Sequence, residues 1–265
     1  MKPPEVIGGN GHRIFQEERL RGIVKMLEKE NRVWIADLCE AFATTPVTIR
    51  KDLDLLENEG VLKRTHGGAI LNRPLFRGLP LSEKAKLHLD EKERIAAEAV
   101  KLIFEGDVIM LDSGSTTTLL ARKMSSLKRI TVITNAVNIA LELASSEAEI
   151  VLTGGALKKD SSTLVGPLAE GLLRKLSADK LFHGVDGVDF EIGLTTPDIA
   201  EANTSRVMME RASENILLVD SSKFGRRSLG VICQMKEIDK IITTRQMDKQ
   251  EIKNLNDLGV EISIV

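Results

Sequence analysis

Six small or hydroxylated residues in a row, SGSTTT (113–118), follow the mostly apolar run VIMLD (108–112). Glycine lets the backbone turn tightly, and the first amides of a helix that begins there would present N–H donors to an anion. The hydroxyl groups add further donors, which makes phosphate a natural ligand. The nucleotide-binding pattern GxxxxGK(S/T) is absent, so this is not a P-loop. Ser, Thr and Gly are also common helix caps, and this alternative stays open for the run read by itself.

Further polar residues and glycines follow other apolar runs, at points where strands of a sheet would end. In chain order these are Asn135, Gly154, Gly155, Asp186, Asp189 and Lys223. In an open α/β sheet such positions meet at the carboxyl edge, where ligands bind. Lys223 would supply a cation for phosphate, whereas Asn135 and the two aspartates would hydrogen-bond sugar hydroxyls or an amide. Turn residues collect at strand ends in any sheet, so each of them also fits a purely structural role.

The elements that would position these residues alternate between strand and helix from Glu91 onward. The candidate strands are mostly continuous apolar runs, as in strands covered on both faces. They lie at 108–112, 130–134, 149–154, 180–186, 216–220, 240–243 and 260–265. Amphipathic stretches that favour helices separate them. The pattern predicts an α/β domain with a mainly parallel sheet over residues 91–265.

Residues 13–71 follow a different pattern, typical of a winged helix-turn-helix. Three short amphipathic helices are predicted, the third beginning at Pro46 with Thr45 as its N-cap and ending at Gly60. A hairpin about Gly67 and Gly68 would form the wing. Trp34 and Cys39 are expected in the core of this domain. Residues 72–90 contain two prolines and little period, and we interpret them as a linker.

A winged helix presents its third helix to the major groove of DNA and its wing to the backbone or minor groove. Side chains with suitable donors are Thr45, Thr48, Arg50 and Lys51 on the helix and Lys63, Arg64 and His66 on the wing. Arginine can fork onto guanine and lysine can neutralise phosphate. Taken singly, Arg50 and Lys51 also fit ordinary solvated helix charges. Asp52 is expected to be structural, pairing with a nearby arginine or capping a backbone amide.

Composition limits the remaining possibilities. The chain has 265 residues, 42% of them hydrophobic, and a formal net charge of −2, so its bulk charge gives no sign of nucleic acid. The chain has two cysteines, Cys39 and Cys233, and neither belongs to a CxxC pair, which excludes a disulfide framework and a zinc site built from cysteine. The four histidines lack a ligand spacing such as HExxH, and we expect no metal or cofactor. Without an apolar run of ~18 residues or a signal peptide, we expect a cytoplasmic protein with no membrane partner.

Both halves resemble the DeoR family of bacterial transcriptional repressors, over roughly residues 13–265. The N-terminal half matches in TIRKDL (48–53) and KRTHGGA (63–69). The C-terminal half matches in LDSGSTTT, ITNAVNIA, LTGGALKKDSSTLVGPLAE, GVDGVDFEIGLTTPDIAEA and VDSSKFGRRSL. Within the family the chain is most similar to repressors of amino-sugar catabolism, such as the N-acetylgalactosamine type. The resemblance implies a sensor domain similar to ribose-5-phosphate isomerase and its CoA-transferase relatives.

The resemblance also implies a sugar-phosphate effector held by the 113–117 loop and Lys223. The resulting effector-site prediction comprises Ser113, Gly114, Ser115, Thr116, Thr117, Asn135, Gly154, Gly155, Asp186, Asp189 and Lys223. The expected partners are double-stranded operator DNA, the sugar phosphate and a second copy of the chain, as a homodimer or homotetramer. Whether the effector releases or promotes DNA binding, and whether the outcome is repression or activation, stays open.

An active isomerase with an added DNA-binding module is the alternative reading. Aldose–ketose isomerisation needs a general base and a group that stabilises the oxyanion. Ribose-5-phosphate isomerase has a lysine in a glycine-rich stretch and, after it, a glutamate base. Counting back from Lys223 places Thr196 at the isomerase's lysine and Ser205 at its glutamate. Neither side chain can play the missing role, so we expect binding without turnover, although Glu201 lies close to the second position.

Overall fold

The computed structural model describes residues 16–30, 32–59, 61–72, 75–247 and 249–265. The chain divides into two compact units, residues 1–74 and 75–265. Residues 13–15 and Gly60, predicted to begin the first helix and to end the third, lie outside the described residues.

The first unit contains three helices and a small antiparallel sheet, which confirms the predicted winged helix-turn-helix. The helices are α1 (Gln16–Glu30), α2 (Ile35–Ala41) and α3 (Pro46–Asn58), and the strands are β1 (Arg32–Trp34), β2 (Leu62–Thr65) and β3 (Gly68–Leu71). The sheet order is β1-β3-β2, so the short first strand, which was not predicted, pairs with the hairpin. Leu27, Leu38 and Leu53 lie in the core that joins the three helices.

The expectation that Trp34 is buried is wrong. Side chains alternate along β1, and Val33 takes the inward position, so the Trp34 side chain is 43% exposed. The Arg32 guanidinium lies over its ring, 4.0 Å from the centroid. Cys39 is partly buried and packs against the core of the unit, as expected.

The second unit is built on a seven-stranded parallel sheet. Its strands are β4 (Val108–Leu111), β5 (Thr131–Thr134), β6 (Glu149–Leu152), β9 (Ala178–His183), β12 (Ala212–Val219), β14 (Lys240–Thr243) and β15 (Glu261–Ile264). Their order is β15-β14-β12-β9-β4-β5-β6, and all neighbours run parallel. Two apolar clusters contain alternate residues of the same strands, such as Leu181 in one cluster and Phe182 in the other. These findings confirm the predicted fold class.

Helices and short antiparallel strands complete this unit. The helices are α4 (Leu81–Lys84), α5 (Leu89–Ala99), α6 (Ser115–Met124), α7 (Val137–Leu143), α8 (Pro167–Leu173), α9 (Ile199–Arg211) and α10 (Lys249–Asp257). One small sheet pairs β7 (Ala156–Lys158) with β8 (Thr163–Val165), and another has the order β10 (Gly187–Asp189), β11 (Gly193–Thr196), β13 (Gly230–Cys233). Within the described part of the chain, no helix has the length and apolar character needed to cross a membrane.

Most of the segment interpreted as a linker belongs to the second unit. Residues 73 and 74 lie outside the described part, and the second unit begins at Leu75. The Phe76 amide donates to the Arg227 carbonyl and the Leu81 amide to the Asp160 carbonyl, both at 2.7 Å. We call residues 75–88 the strap, because these hydrogen bonds tie them to loops of the α/β unit.

Candidate effector site and DNA-facing surface

A polar pocket lies at the carboxyl edge of the parallel sheet, where β4, β9 and β12 end. Its internal volume is about 50 Å³. The loop after β4, the loop after β9 and the turn after β12 form much of its wall, because parallel strands bring these ends to one edge. Helix α9 and the strap complete it. Of the residues predicted for the effector, it brings together Ser113, Gly114, Ser115, Thr116, Asp186 and Lys223.

The β4–α6 loop prepares one side of the pocket for an anion. Gly114 precedes α6, and the Thr117 and Thr118 hydroxyls donate to its carbonyl at 3.0 and 2.6 Å. These bonds hold the start of the helix in place. The first amides of an α-helix have no partner within the helix, so those of α6 face the pocket with the positive end of the helix dipole. This arrangement suits phosphate.

Two lysines approach one carboxylate oxygen in the pocket. Asp186 Oδ1 lies 2.6 Å from Lys84 Nζ and 3.9 Å from Lys223 Nζ. Burial lowers the pKa of Lys223, against the attraction of Asp186 and Asp220. Sequence reasoning missed Lys84, because the four-residue helix LSEK has the composition of an ordinary surface turn. Only the tertiary structure, in which the strap lies against the pocket, brings Lys84 to Asp186.

The other acidic groups of the pocket accept hydrogen bonds from serine residues. Ser205 Oγ donates to Asp112 Oδ2 at 2.6 Å, and the Ser113 amide donates to Oδ1 at 2.7 Å. Burial nevertheless raises the pKa of Asp112 to about 6. Glu201 Oε1 accepts a hydrogen bond from Ser161 at 2.5 Å, and burial raises the pKa of this carboxyl as well. The pocket therefore combines two cations and an anion cradle with carboxylates suited to accept hydrogen bonds from sugar hydroxyls.

Other predicted effector residues do not line this pocket. Asp189 is paired with the Arg227 guanidinium at 2.6 and 3.1 Å, which joins β10 to the loop before β13. Thr117 is buried against Gly114. Asn135 is also buried, just beyond β5. Gly154 and Gly155 form the turn between β6 and β7 with φ of 71° and 119°, and a side chain at Gly155 would collide with the Val165 carbonyl.

The first unit exposes most of the residues predicted to face DNA. Thr45 caps α3 by accepting from the Thr48 amide at 3.3 Å, and the two hydroxyls lie 3.0 Å apart. Arg50, Lys51, Lys63 and His66 are exposed. Asp52 is buried and accepts two hydrogen bonds from Arg19, at 2.5 and 3.1 Å, which confirms the structural role expected of it.

Arg64 is the exception among the predicted DNA-facing residues. Its guanidinium pairs with Asp54 and donates to the Arg50 carbonyl at 3.2 Å, and its amide donates to Glu57 at 2.7 Å. It therefore joins the wing to α3, so part of its donor capacity is used inside the domain.

Comparison with known families assigns both units. The model of the DeoR-like helix-turn-helix domain matches residues 19–74, and the model of the DeoR C-terminal sensor domain matches residues 87–245. The chain belongs to the DeoR family of transcriptional regulators. The resemblance inferred from the motifs is thereby confirmed, and its two domains correspond to the two units of the structure.

Relatives in this family align over nearly the whole chain. The HTH-type transcriptional regulator GlpR of Haloferax volcanii is 36% identical over 94% of this chain and 98% of its own. The transcriptional repressor assigned to the aga operon of Escherichia coli O157:H7 is 36% identical over 94% and 93%. The transcriptional repressor GlcR of Bacillus subtilis is 33% identical over 95% and 97%. These proteins are named as transcriptional regulators and not as enzymes.

Among solved structures, ribose 5-phosphate isomerase A from Methanocaldococcus jannaschii is similar to part of the chain. The match covers 51% of this chain and 54% of the isomerase, with 25% sequence identity and a TM-score of 0.40. Thr196 and Ser205, which correspond by sequence position to the isomerase's lysine and glutamate, both line the polar pocket of this chain, and so does Glu201.

Proposed function

We propose that this DeoR-family regulator represses a sugar-catabolic operon and that a phosphorylated sugar, bound with its phosphate in the polar pocket, controls its affinity for operator DNA. The observation that carries the proposal is the meeting of Lys84, Lys223 and the start of α6 at one pocket. Two cations and a helix N-terminus form a site for a phosphate group. The adjoining carboxylates then select a partner that carries hydroxyl groups.

The relatives support the choice of sugar metabolism. One is named for the aga operon and another as the lactose phosphotransferase system repressor of Streptococcus mutans, which is 32% identical over 88% of this chain and 94% of its own. We extend the role of repressor from these proteins to this chain. A regulator that acts on operator DNA works where the chromosome lies, so we place it in the cytoplasm.

We further propose that the protein acts as a homodimer or homotetramer. A single winged helix makes few base contacts, and a symmetric pair reads two half-sites. The effector would then change DNA affinity by changing how the two heads are presented. The proposed DNA-reading side chains are Thr45, Thr48, Arg50, Lys51, Lys63, Arg64 and His66.

The decisive experiment measures operator affinity with and without phosphorylated sugars. Operator sequences are first selected from a random DNA library by the full-length protein. Fluorescence anisotropy then follows binding in the presence of hexose, pentose and amino-sugar phosphates, with inorganic phosphate and the unphosphorylated sugars as controls. A cognate effector should change the affinity about 5- to 150-fold, the usual range of allosteric coupling. If the affinity is the same with every sugar phosphate, the proposed switch is wrong.

A further inference from the structure

A second cavity adjoins the polar pocket inside the same unit. Its volume is about 460 Å³, within the ~300–1,000 Å³ of small-molecule sites. The two cavities share Leu81 of the strap and Ser115 at the start of α6. From Ser115 the second cavity follows α6 to Arg122, about 10 Å along the helix at 1.5 Å per residue. A ligand with its phosphate at Ser115 can therefore extend into this space.

One wall of the second cavity is apolar. Leu81, Ala85 and Leu89 lie on the side of the strap and α5, and Leu119 lies on α6. The 2.7 Å hydrogen bond from the Leu81 amide to the Asp160 carbonyl joins the strap to the β7–β8 loop, and both segments border the cavity. An apolar wall of this kind suits the carbon face of a sugar ring or a short acyl group, since both bury carbon-bound surface.

Asn138 gives the cavity its polar specificity. Its Nδ2 donates to Thr118 Oγ1 at 2.8 Å, while the Thr118 hydroxyl donates to the Gly114 carbonyl at 2.6 Å. Because the Thr118 proton is committed to Gly114, its oxygen must accept, and the Asn138 amide is oriented with nitrogen toward Thr118. Asn138 Oδ1 is then a buried acceptor, and no donor reaches it from the described residues. Buried acceptors are usually paired, and a donor on a ligand in the cavity that Asn138 lines would pair this one.

The charged residues that line the cavity are two of each sign, Arg122 and Lys159 against Glu142 and Asp160, and this balance favours a neutral group. Arg122 and Glu142 pair with each other, Nε to Oε2 at 3.1 Å, so their charges largely cancel. A second anion could not pair with Asn138 Oδ1, since both are acceptors. An N–H or O–H donor would satisfy that oxygen, and the apolar wall would cover the rest of the group.

We propose that this second cavity is a subsite for a neutral, hydroxyl- or amide-bearing substituent of the phosphorylated effector. The inference rests on the proposed function, because it places the effector phosphate beside Ser115. It narrows the effector class to sugar phosphates that carry a further group, either a second sugar unit or an N-acyl group.

The test compares a plain hexose 6-phosphate, an N-acetylhexosamine 6-phosphate and a disaccharide 6-phosphate by calorimetry on the full-length protein. At least one of the two substituted compounds should bind on the order of tenfold more tightly than the plain one, which corresponds to one hydrogen bond with some apolar burial. The better of the two identifies the substituent.

Two variants test whether the second cavity causes the preference for the substituted compound. Ala85→Phe takes up part of the second cavity and changes no residue of the polar pocket, and Asn138→Leu removes the acceptor at nearly constant volume. Both should abolish the preference for the substituted compound, and binding of the plain hexose phosphate shows that each variant is folded. Lys86→Phe is the matched control, since Lys86 is exposed on the same strap and lines neither cavity.

The outcomes separate this inference from the proposed function. If the plain phosphate binds and the substituted ones bind no more tightly, the subsite is wrong and the effector pocket stands. The same conclusion follows if the preference survives in Ala85→Phe. If no sugar phosphate binds at all, both the pocket assignment and the subsite fail.

Discussion

At the scale of single residues, Asp186 is the centre of the polar pocket because it holds lysines from two distant parts of the chain. Lys84 Nζ lies 2.6 Å from its Oδ1, and that ammonium group is the nearer of the two. Lys84→Met should weaken sugar-phosphate binding by ~1.5–3 kcal/mol, the range for a hydrogen bond to a charged group. Operator affinity without effector should stay within about twofold, because Lys84 lies outside the helix-turn-helix unit.

Lys86→Met is the matched control for this prediction, because it removes a neighbouring exposed lysine that does not line the pocket. Calorimetry with the cognate sugar phosphate gives the affinity, and anisotropy gives the operator affinity. If both variants lose the same affinity for the sugar phosphate, Lys84 acts only as a general surface charge.

Asp112 gives a pH dependence with a definite sign. Burial raises its pKa from 3.8 to about 6, so between these values the folded chain binds more protons than the unfolded chain. The free energy of unfolding therefore carries no penalty from Asp112 below pH 4, and it falls by about 3 kcal/mol as the pH rises through 6. Asp112→Asn should remove this decline, so the variant gains stability relative to the wild type between pH 4 and 7. Urea unfolding at a series of pH values measures it; parallel curves for the two proteins would refute the assignment.

Arg50 is the residue we expect to read a base edge. It is exposed near the N-terminal end of α3, and its carbonyl, not its side chain, receives the Arg64 guanidinium. Arg50→Ala should lower specific operator binding by ~1–3 kcal/mol and relax sequence preference at one position. Lys25→Ala, an exposed charge on α1, serves as control. Anisotropy measures the affinities for selected and scrambled DNA. If the ratio of these two affinities is the same in Arg50→Ala as in the wild type, Arg50 does not read a base.

At the scale of elements, the buried pair of Arg19 and Asp52 joins α1 to the DNA-facing helix α3. Asp52 is 1% exposed and accepts two hydrogen bonds from Arg19. Asp52→Ala should cost the first unit ~3–5 kcal/mol, because it removes the carboxylate from a buried ion pair. Trp34, the only tryptophan of the chain, lies in this unit and reports its unfolding by fluorescence.

The control for this ion pair is a carboxylate on the same helix. Asp54 pairs with Arg64, but its side chain is 59% exposed, so Asp54→Ala should cost at most ~1 kcal/mol. If both variants unfold at the same denaturant concentration, the buried pair does not hold α1 to α3.

Some elements of the fold can be predicted from the sequence and others cannot, for physical reasons. The strands of the parallel sheet are visible because they are covered on both faces and so are continuously apolar, as in Ile216–Val219. Strands β10, β11 and β13 are three or four residues long and rich in glycine and threonine, so they leave no period to detect. Of the candidate site, the loop before α6 follows from local chemistry. The role of Lys84 could not be predicted, because only tertiary packing brings it to Asp186. Tertiary packing also pairs Asp189 with Arg227 and so keeps it out of the pocket.

At the scale of the whole molecule, the proposed pairing of two chains has a measurable consequence on DNA. One winged helix makes few base contacts, and Arg50 of α3 is the side chain that we expect to make one here. If the α/β units hold two chains together, the second head binds its half-site as an intramolecular event at high effective concentration. Scrambling one half-site of a selected operator should then lower affinity by a factor of 10²–10⁴, the usual avidity gain. Sedimentation velocity on the free protein should show a species of two or four chains. A chain that sediments as a monomer and binds the scrambled operator as tightly as the intact one would contradict the proposed assembly, and the effector would then have to act on a single head.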